Sequence, residues 1–145
     1  MKKSIALVFV LALALCGMAG AFAQSEKDFE VSTKDGKVTV TKFKGKGGAV
    51  VIPATIGGNP VVEIGISAFE MRENITSVTI PAGVIRISNQ VFIECTKLTS
   101  VSIPASVTSI MIGAFEHCTG LTSISIGANV VLGEIEELEG KYPLF

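Results

Sequence analysis

The chain is predicted to fold as a mainly β repeat solenoid: a short stack of 23-residue coils with parallel strands, closed at its N-terminal end by a β-hairpin. Three observations carry that prediction. Phe69, Phe92 and Phe115 recur at a constant step of 23, and four aliphatic rows keep the same step: Ile64, Ile87 and Ile110; Ile75, Leu98 and Leu121; Val78, Val101 and Ile124; Ile80, Ile103 and Ile126. Within a unit, apolar and small polar residues alternate, as in Ser100-Val101-Ser102-Ile103, the pattern of a strand with one buried face. Ahead of the repeats, two strand-like runs flank Asp35-Gly36, a strong hairpin signal. A fixed period of this length implies units that cannot close a core alone and do so by stacking.

Residues 1–23 stand outside that fold. Met1-Lys2-Lys3, an apolar run from Ile5 to Leu15 and a small-residue stretch ending in Ala21-Phe22-Ala23 follow the order of an export signal, which places cleavage before Gln24. Two other readings stand beside it: an uncleaved membrane anchor over Ile5 to Ala23, and a lipoprotein modified on Cys16. Gly17 and Gly20 interrupt the anchor, and the bulk of Leu15 weakens the lipoprotein signal. Each reading takes the protein out of the cytoplasm, to a secreted, periplasmic or cell-surface location. Cleavage leaves 122 residues with ten basic and thirteen acidic side chains, a net charge of −3 that disfavours nucleic acid as a partner. No second apolar run reaches spanning length, so no transmembrane segment is expected after cleavage, and 122 residues suit a single core.

Residues 24–48 read as the hairpin cap, with Phe29 to Lys34 and Lys37 to Lys42 as its strands. Residues 49–132 hold three full repeats and a partial fourth. Ile52-Pro53 opens the first, and Ile80 follows Ile52 by 28 rather than by the common step of 23, an excess of five assigned to a turn around Gly57-Gly58-Asn59-Pro60. A typical unit runs from Leu98 to Phe115: an inward-facing Val101 and Ile103, a second extended piece at Val107 to Ile110, then a tight helical turn over Ile112 to Glu116 that inserts Phe115. Residues 133–145 break the period, carry Glu134, Glu136, Glu137 and Glu139 before Tyr142-Pro143-Leu144-Phe145, and are expected to fold over the last coil as a C-terminal cap.

The unit Leu-x-x-Val-x-Ile-Pro carries the leucine-rich-repeat signature. From about Ala49 to Val131 the chain resembles the BspA-type, or treponemal, leucine-rich repeats: Leu98-Thr99-Ser100-Val101-Ser102-Ile103-Pro104 and Ala114-Phe115-Glu116-His117-Cys118 fit that family's pattern position by position. The resemblance implies an exported bacterial protein of a family associated with adhesion to host proteins and to other cells. Arg72 departs from the pattern at the place of Cys95 and Cys118, and the fourth copy loses its phenylalanine after Val131.

Candidate chemistry is sparse. Cys95 and Cys118 share one repeat position, so stacking sets them on adjacent coils, where a disulfide and a column of small buried thiols are both feasible and the thiol column is favoured. His117 is the single histidine; neighbouring His117 and Cys118 point apart, so no four-ligand metal site is expected. The abundant serines belong to repeated strand positions with no histidine to activate them, so no catalytic residue and no cofactor is expected. Lys44-Gly45-Lys46-Gly47-Gly48 lacks the Gly-Lys-Ser/Thr ending of a phosphate loop and reads as a turn, with Lys42, Lys44 and Lys46 as a basic stripe or a guarded strand edge. The glutamate-rich tail lacks calcium-loop spacing. Asn74-Ile75-Thr76 matches a glycosylation acceptor that is irrelevant in a bacterium.

The chain therefore reads as a binding module for a protein ligand, a host matrix or cell-surface protein. The expected ligand-binding face is the outward strand face of Ser77 and Thr79, Ser100 and Ser102, Ser123 and Ser125. Ile66, Ile85, Ile93, Met111 and Ile112 occupy variable repeat positions and form a competing apolar site. The alternative role is structural: a basic N-terminal end and an acidic C-terminal end favour assembly within the cell envelope.

Overall fold

The computed structural model describes residues 24–132; the readings of 1–23 as an export signal and of 133–145 as a cap fall outside the described residues. Eleven strands follow a short 3-10 turn at Glu26–Asp28: β1 (Phe29–Lys34), β2 (Lys37–Phe43), β3 (Gly48–Val51), β4 (Thr55–Ile56), β5 (Asn59–Ile64), β6 (Ile75–Thr79), β7 (Arg86–Ile87), β8 (Ser100–Ile103), β9 (Ser109–Ile110), β10 (Ser123–Ile126) and β11 (Val131–Leu132). They form two sides of a solenoid of about four turns. One side is the parallel sheet β3-β6-β8-β10; the other is β2-β5-β7-β9-β11, also parallel, with β1 antiparallel on the outer edge of β2. Between the two sides the chain turns at Pro81 and Pro104, where the Val84 and Val107 amides donate to the proline carbonyls at 3.1 and 3.2 Å. Proline fits there because it starts a turn and has no amide to leave unpaired.

Both tight hairpins follow from their turn residues. Asp35 and Gly36 have φ of 51° and 69°, the pair of positive values that a two-residue turn matched to strand twist requires. The five-residue excess becomes a second hairpin, β4 against β5, turning at Gly57 and Gly58 with φ of 59° and 77°.

The third side contains no strand among the described residues, yet it is as regular as the sheets. The Phe69 amide donates to the Val91 carbonyl at 2.9 Å and the Phe92 amide to Ala114 at 2.8 Å; Met71 to Ile93 and Glu94 to Glu116 repeat the step at 2.9 Å each. The helical turn expected over Ile112 to Glu116 is a run of tight turns instead, with left-handed residues at two fixed repeat positions: Ser67, Gln90 and Gly113, and Met71, Glu94 and His117. Two reversals per coil hold each phenylalanine inward without a helix.

The interior is a ladder of rings. Phe69 and Phe92 lie 5.1 Å apart and Phe92 and Phe115 5.3 Å, as their common repeat step demands. Phe43, at the end of β2, adds a fourth rung at 5.1 Å from Phe69, and Phe29 lies against Phe43 at 5.3 Å. The hairpin thus does more than cover the first coil. Its second strand joins a sheet, its last residue joins the ring ladder, and its first residue seals both.

Candidate functional site

The six outward residues expected to bind come together on one surface. Parallel pairing sets Ser77 beside Ser100 and Ser100 beside Ser123, and Thr79 beside Ser102 and Ser102 beside Ser125. β3 extends the two columns with Ala49 and Val51. Alternation produces this surface because the residues between, Val78, Val101 and Ile124, face the interior. No charged side chain occurs among the eight positions. Among the described residues, none of the six hydroxyls is taken up by a side-chain hydrogen bond within the chain. A neighbouring column behaves differently and was not anticipated: the Thr99 hydroxyl donates to the Thr76 carbonyl at 2.9 Å and the Thr122 hydroxyl to Thr99 at 3.1 Å, so these threonines tie one coil to the next. Their repeat spacing was the available signal.

The competing apolar positions are less coherent. Ile66, Ile85 and Ile112 are exposed, whereas Ile93 and Met111 are half-buried. Asn89 separates Ile66 from Ile112 in their shared column. Of the basic stripe, Lys44 pairs with Glu30 at 3.4 Å, and all three lysines are exposed on the hairpin and the turn that follows.

Cys95 and Cys118 are free thiols, each donating at 3.0 Å to the carbonyl of the phenylalanine one coil earlier, Phe69 and Phe92 respectively. Burial pushes the Cys95 thiol up to about 12 and the Cys118 thiol up to about 11, so both stay protonated and keep their donor hydrogen near neutral pH. Arg72, the departure from the cysteine column, reaches the same way: its Nη2 donates to the Gly45 carbonyl at 2.6 Å, and its guanidinium lies 5.3 Å from the centre of the Phe43 ring. Three side chains thus serve one repeat position by binding a carbonyl of the preceding layer. His117 pairs with the adjacent Glu116, at 3.6 Å, and no cluster of three or more metal-ligating side chains occurs among the described residues. No helix among them is long and apolar enough to cross a membrane.

Stacked parallel coils, an inward aliphatic and aromatic ladder, and a flat outward strand face define a leucine-rich-repeat solenoid. The chain belongs to the BspA-type leucine-rich-repeat family: the model described as "BspA type Leucine rich repeat region (6 copies)" matches residues 52–137. The fold is similar to the crystal structure of the Leucine Rich Repeat protein of T. pallidum, with 31% identity, a TM-score of 0.75, and 78% of this chain covering 54% of that one. It is also similar to a leucine rich cell surface protein of Faecalibacterium prausnitzii (32% identity, TM-score 0.66, 78% of this chain and 32% of that one). A leucine-rich repeat protein of Bacteroides ovatus is similar at 28% identity and a TM-score of 0.66, over 79% of this chain and 32% of that one. The chain therefore spans about half the length of the first of these and about a third of the other two. No curated protein matches it.

Proposed function

We propose that the protein is an exported binding module that recognises a protein ligand through the β3-β6-β8-β10 face and so mediates adhesion to host or bacterial surfaces. The observation that carries the reading is the register of Ser77, Thr79, Ser100, Ser102, Ser123 and Ser125: six uncommitted hydroxyls in two columns on a flat, uncharged surface. A hydroxyl buried without a partner is destabilising, so this surface favours ligands whose donors and acceptors match its columns and rejects those that leave hydroxyls unpaired. Family membership supports interaction with protein, and the description of the F. prausnitzii relative as a cell surface protein supports export. The face is small. Four strands about 4.8 Å apart and some four residues long present far less than the roughly 800 Å² per partner of a standard interface, which favours weak contacts strengthened by multivalent display.

The test is saturable binding of the processed protein to immobilised host-matrix proteins and bacterial surface extracts. Binding lost in Ser100→Glu with Ser102→Arg, and retained in Ile66→Ser with Ile85→Ser, supports the strand face. The reverse pattern moves the site to the apolar positions. A flat response on every surface sinks adhesion in favour of a structural role in the envelope.

A further inference from the structure

The two sheets of the solenoid begin with strands whose open edges are finished differently. On β3, the Gly48 and Ile52 amides donate to Asn74 and Thr79 on the β6 side, and the Ala49 carbonyl, which alternation turns the other way, accepts from the Gln24 side chain at 3.4 Å. That edge is covered. β1 is the outermost strand of the other sheet, no strand lies beyond it among the described residues, and Ser32, Thr33 and Lys34 are exposed. An edge of this kind is a template for a further strand unless its side chains forbid one.

The ladder with β2 fixes which groups β1 offers. Lys34 and Lys37 close the two-residue turn as a hydrogen-bonded pair, so the alternate pairs, Thr33 with Val38 and Val31 with Val40, exchange no bonds. The amides and carbonyls of Val31 and Thr33 therefore point to the open edge. The register shift near Glu30 falls on β2, where Thr41 is skipped, and leaves the alternation of β1 intact. Glu30, Ser32 and Lys34 stand on the exposed face, while Phe29 and Val31 turn to the core.

We propose that the occupant of this edge is β1 of a second copy, paired antiparallel about a two-fold axis at Ser32. Charge carries the choice: the strand places one acid and one base at equal distances from Ser32, two residues before it and two after. Pairing about that axis sets Glu30 of each copy opposite Lys34 of the other, and Val31 opposite Thr33, whose free amides and carbonyls then exchange bonds in both directions. Sliding the register by two residues one way sets Lys34 against Ser32, and the other way Glu30 against Ser32, so the Ser32-centred register alone joins these two charges. Within one copy Lys34 faces a like charge, Lys37, across the hairpin, and the partner's Glu30 offsets that repulsion. Glu30 is also met by Lys44 at 3.4 Å and by Lys42 across the ladder, both exposed and able to turn to water.

A strand pair six residues long buries less than the roughly 800 Å² per partner of a standard interface, so the dimer should form between about 10 µM and 1 mM. It doubles the hydroxyl faces on one particle, the multivalency that the ligand-binding reading calls for, but the pairing itself does not depend on that reading.

Sedimentation velocity of the full chain across that range tests the pairing, with Lys34→Glu, Glu30→Lys, the double exchange of both, and Thr33→Pro. The parent should pass from monomer to dimer. Each single charge variant should weaken the dimer about tenfold, and the double exchange, which restores opposite charges at both ends, should return to within about threefold of the parent. Thr33→Pro removes an amide aimed at the open edge and should abolish pairing with the melting temperature unchanged. On oxidation Ser32→Cys should form a disulfide between its two copies, mapped by mass spectrometry, because residues facing each other at the axis lie about 4.5 Å apart; Thr33→Cys should not. A parent that stays monomeric, single charge variants that pair as well as the parent, or a dimer that survives Thr33→Pro overturns the proposal. The first of these outcomes leaves the edge to a strand of another protein.

Discussion

The hairpin and the fourth coil, the first and last layers among the described residues, show how much of a repeat's burial comes from its neighbours. At the hairpin end, Phe43 lies between Phe69 and Phe29 and is 0% exposed, although its layer is not a true repeat. At the other end, the fourth coil keeps the consensus strand Ser123–Ile126, yet its inward residues are the least buried of their columns. Among the described residues, an atypical layer with a neighbour on each side is better packed than a typical one with a described neighbour on one side. Burial in this fold is thus a property of position in the stack more than of match to the consensus.

That comparison can be broken most directly at the rings. Phe92→Ala removes a rung packed on both sides and should destabilise the protein by about 3–5 kcal/mol, and Phe115→Ala by clearly less, as read from urea unfolding midpoints. Equal losses would mean that the two positions are packed alike. Next in size is Arg72→Ala, which removes a charge-assisted bond to the Gly45 carbonyl and the cover over Phe43; a loss of about 1.5–3 kcal/mol is expected, with Arg72→Lys recovering only part of it. The matched pair Ile103→Val and Ile126→Val sharpens the contrast within one column: about 1 kcal/mol for the first and close to zero for the second.

The smallest effect is the pH dependence of the thiols. Both have native values raised above the ordinary value of 9.0, to about 12 and about 11, so their contribution is complete below pH 9 and is lost as pH rises toward those values. Melting temperature should therefore fall more steeply between pH 9 and 11 in the parent than in a Cys95→Ala, Cys118→Ala variant. Parallel curves would show that the thiols contribute nothing.

Much of this was readable from residues alone, for a physical reason. Columns that recur at one fixed step can be superimposed only if the coils stack in register, so the rows of Phe69 and Ile80 specify the strand order as well as the core. The hydroxyl face followed from the same alternation, since Ser100 and Ser102 take whichever side Val101 and Ile103 leave. Phe43 escaped because its spacing from Phe69 is 26; β2 enters the stack with a register shift after Val38 that no period reveals. The service of Arg72 to the cysteine column escaped because the shared feature is a carbonyl in the layer below, which side-chain chemistry alone does not disclose. The turn side was read as helical because Ser67, Gln90, Met71, Glu94 and His117 carry no signature of a left-handed backbone; Gly113 alone among the six positions does.

Those left-handed positions bear on how such a protein changes over generations. A non-glycine residue there sits roughly 1–2 kcal/mol above its relaxed conformation, yet Ser, Gln, Met, Glu and His all occupy the sites. The backbone imposes the shape on side chains of very different chemistry. Met71, Glu94 and His117 form a row that can be rewritten one residue at a time while the interior stays as it is. Duplicating one repeat block would add one residue to this row and one to the row of Ser67, Gln90 and Gly113, each with the handedness the backbone sets.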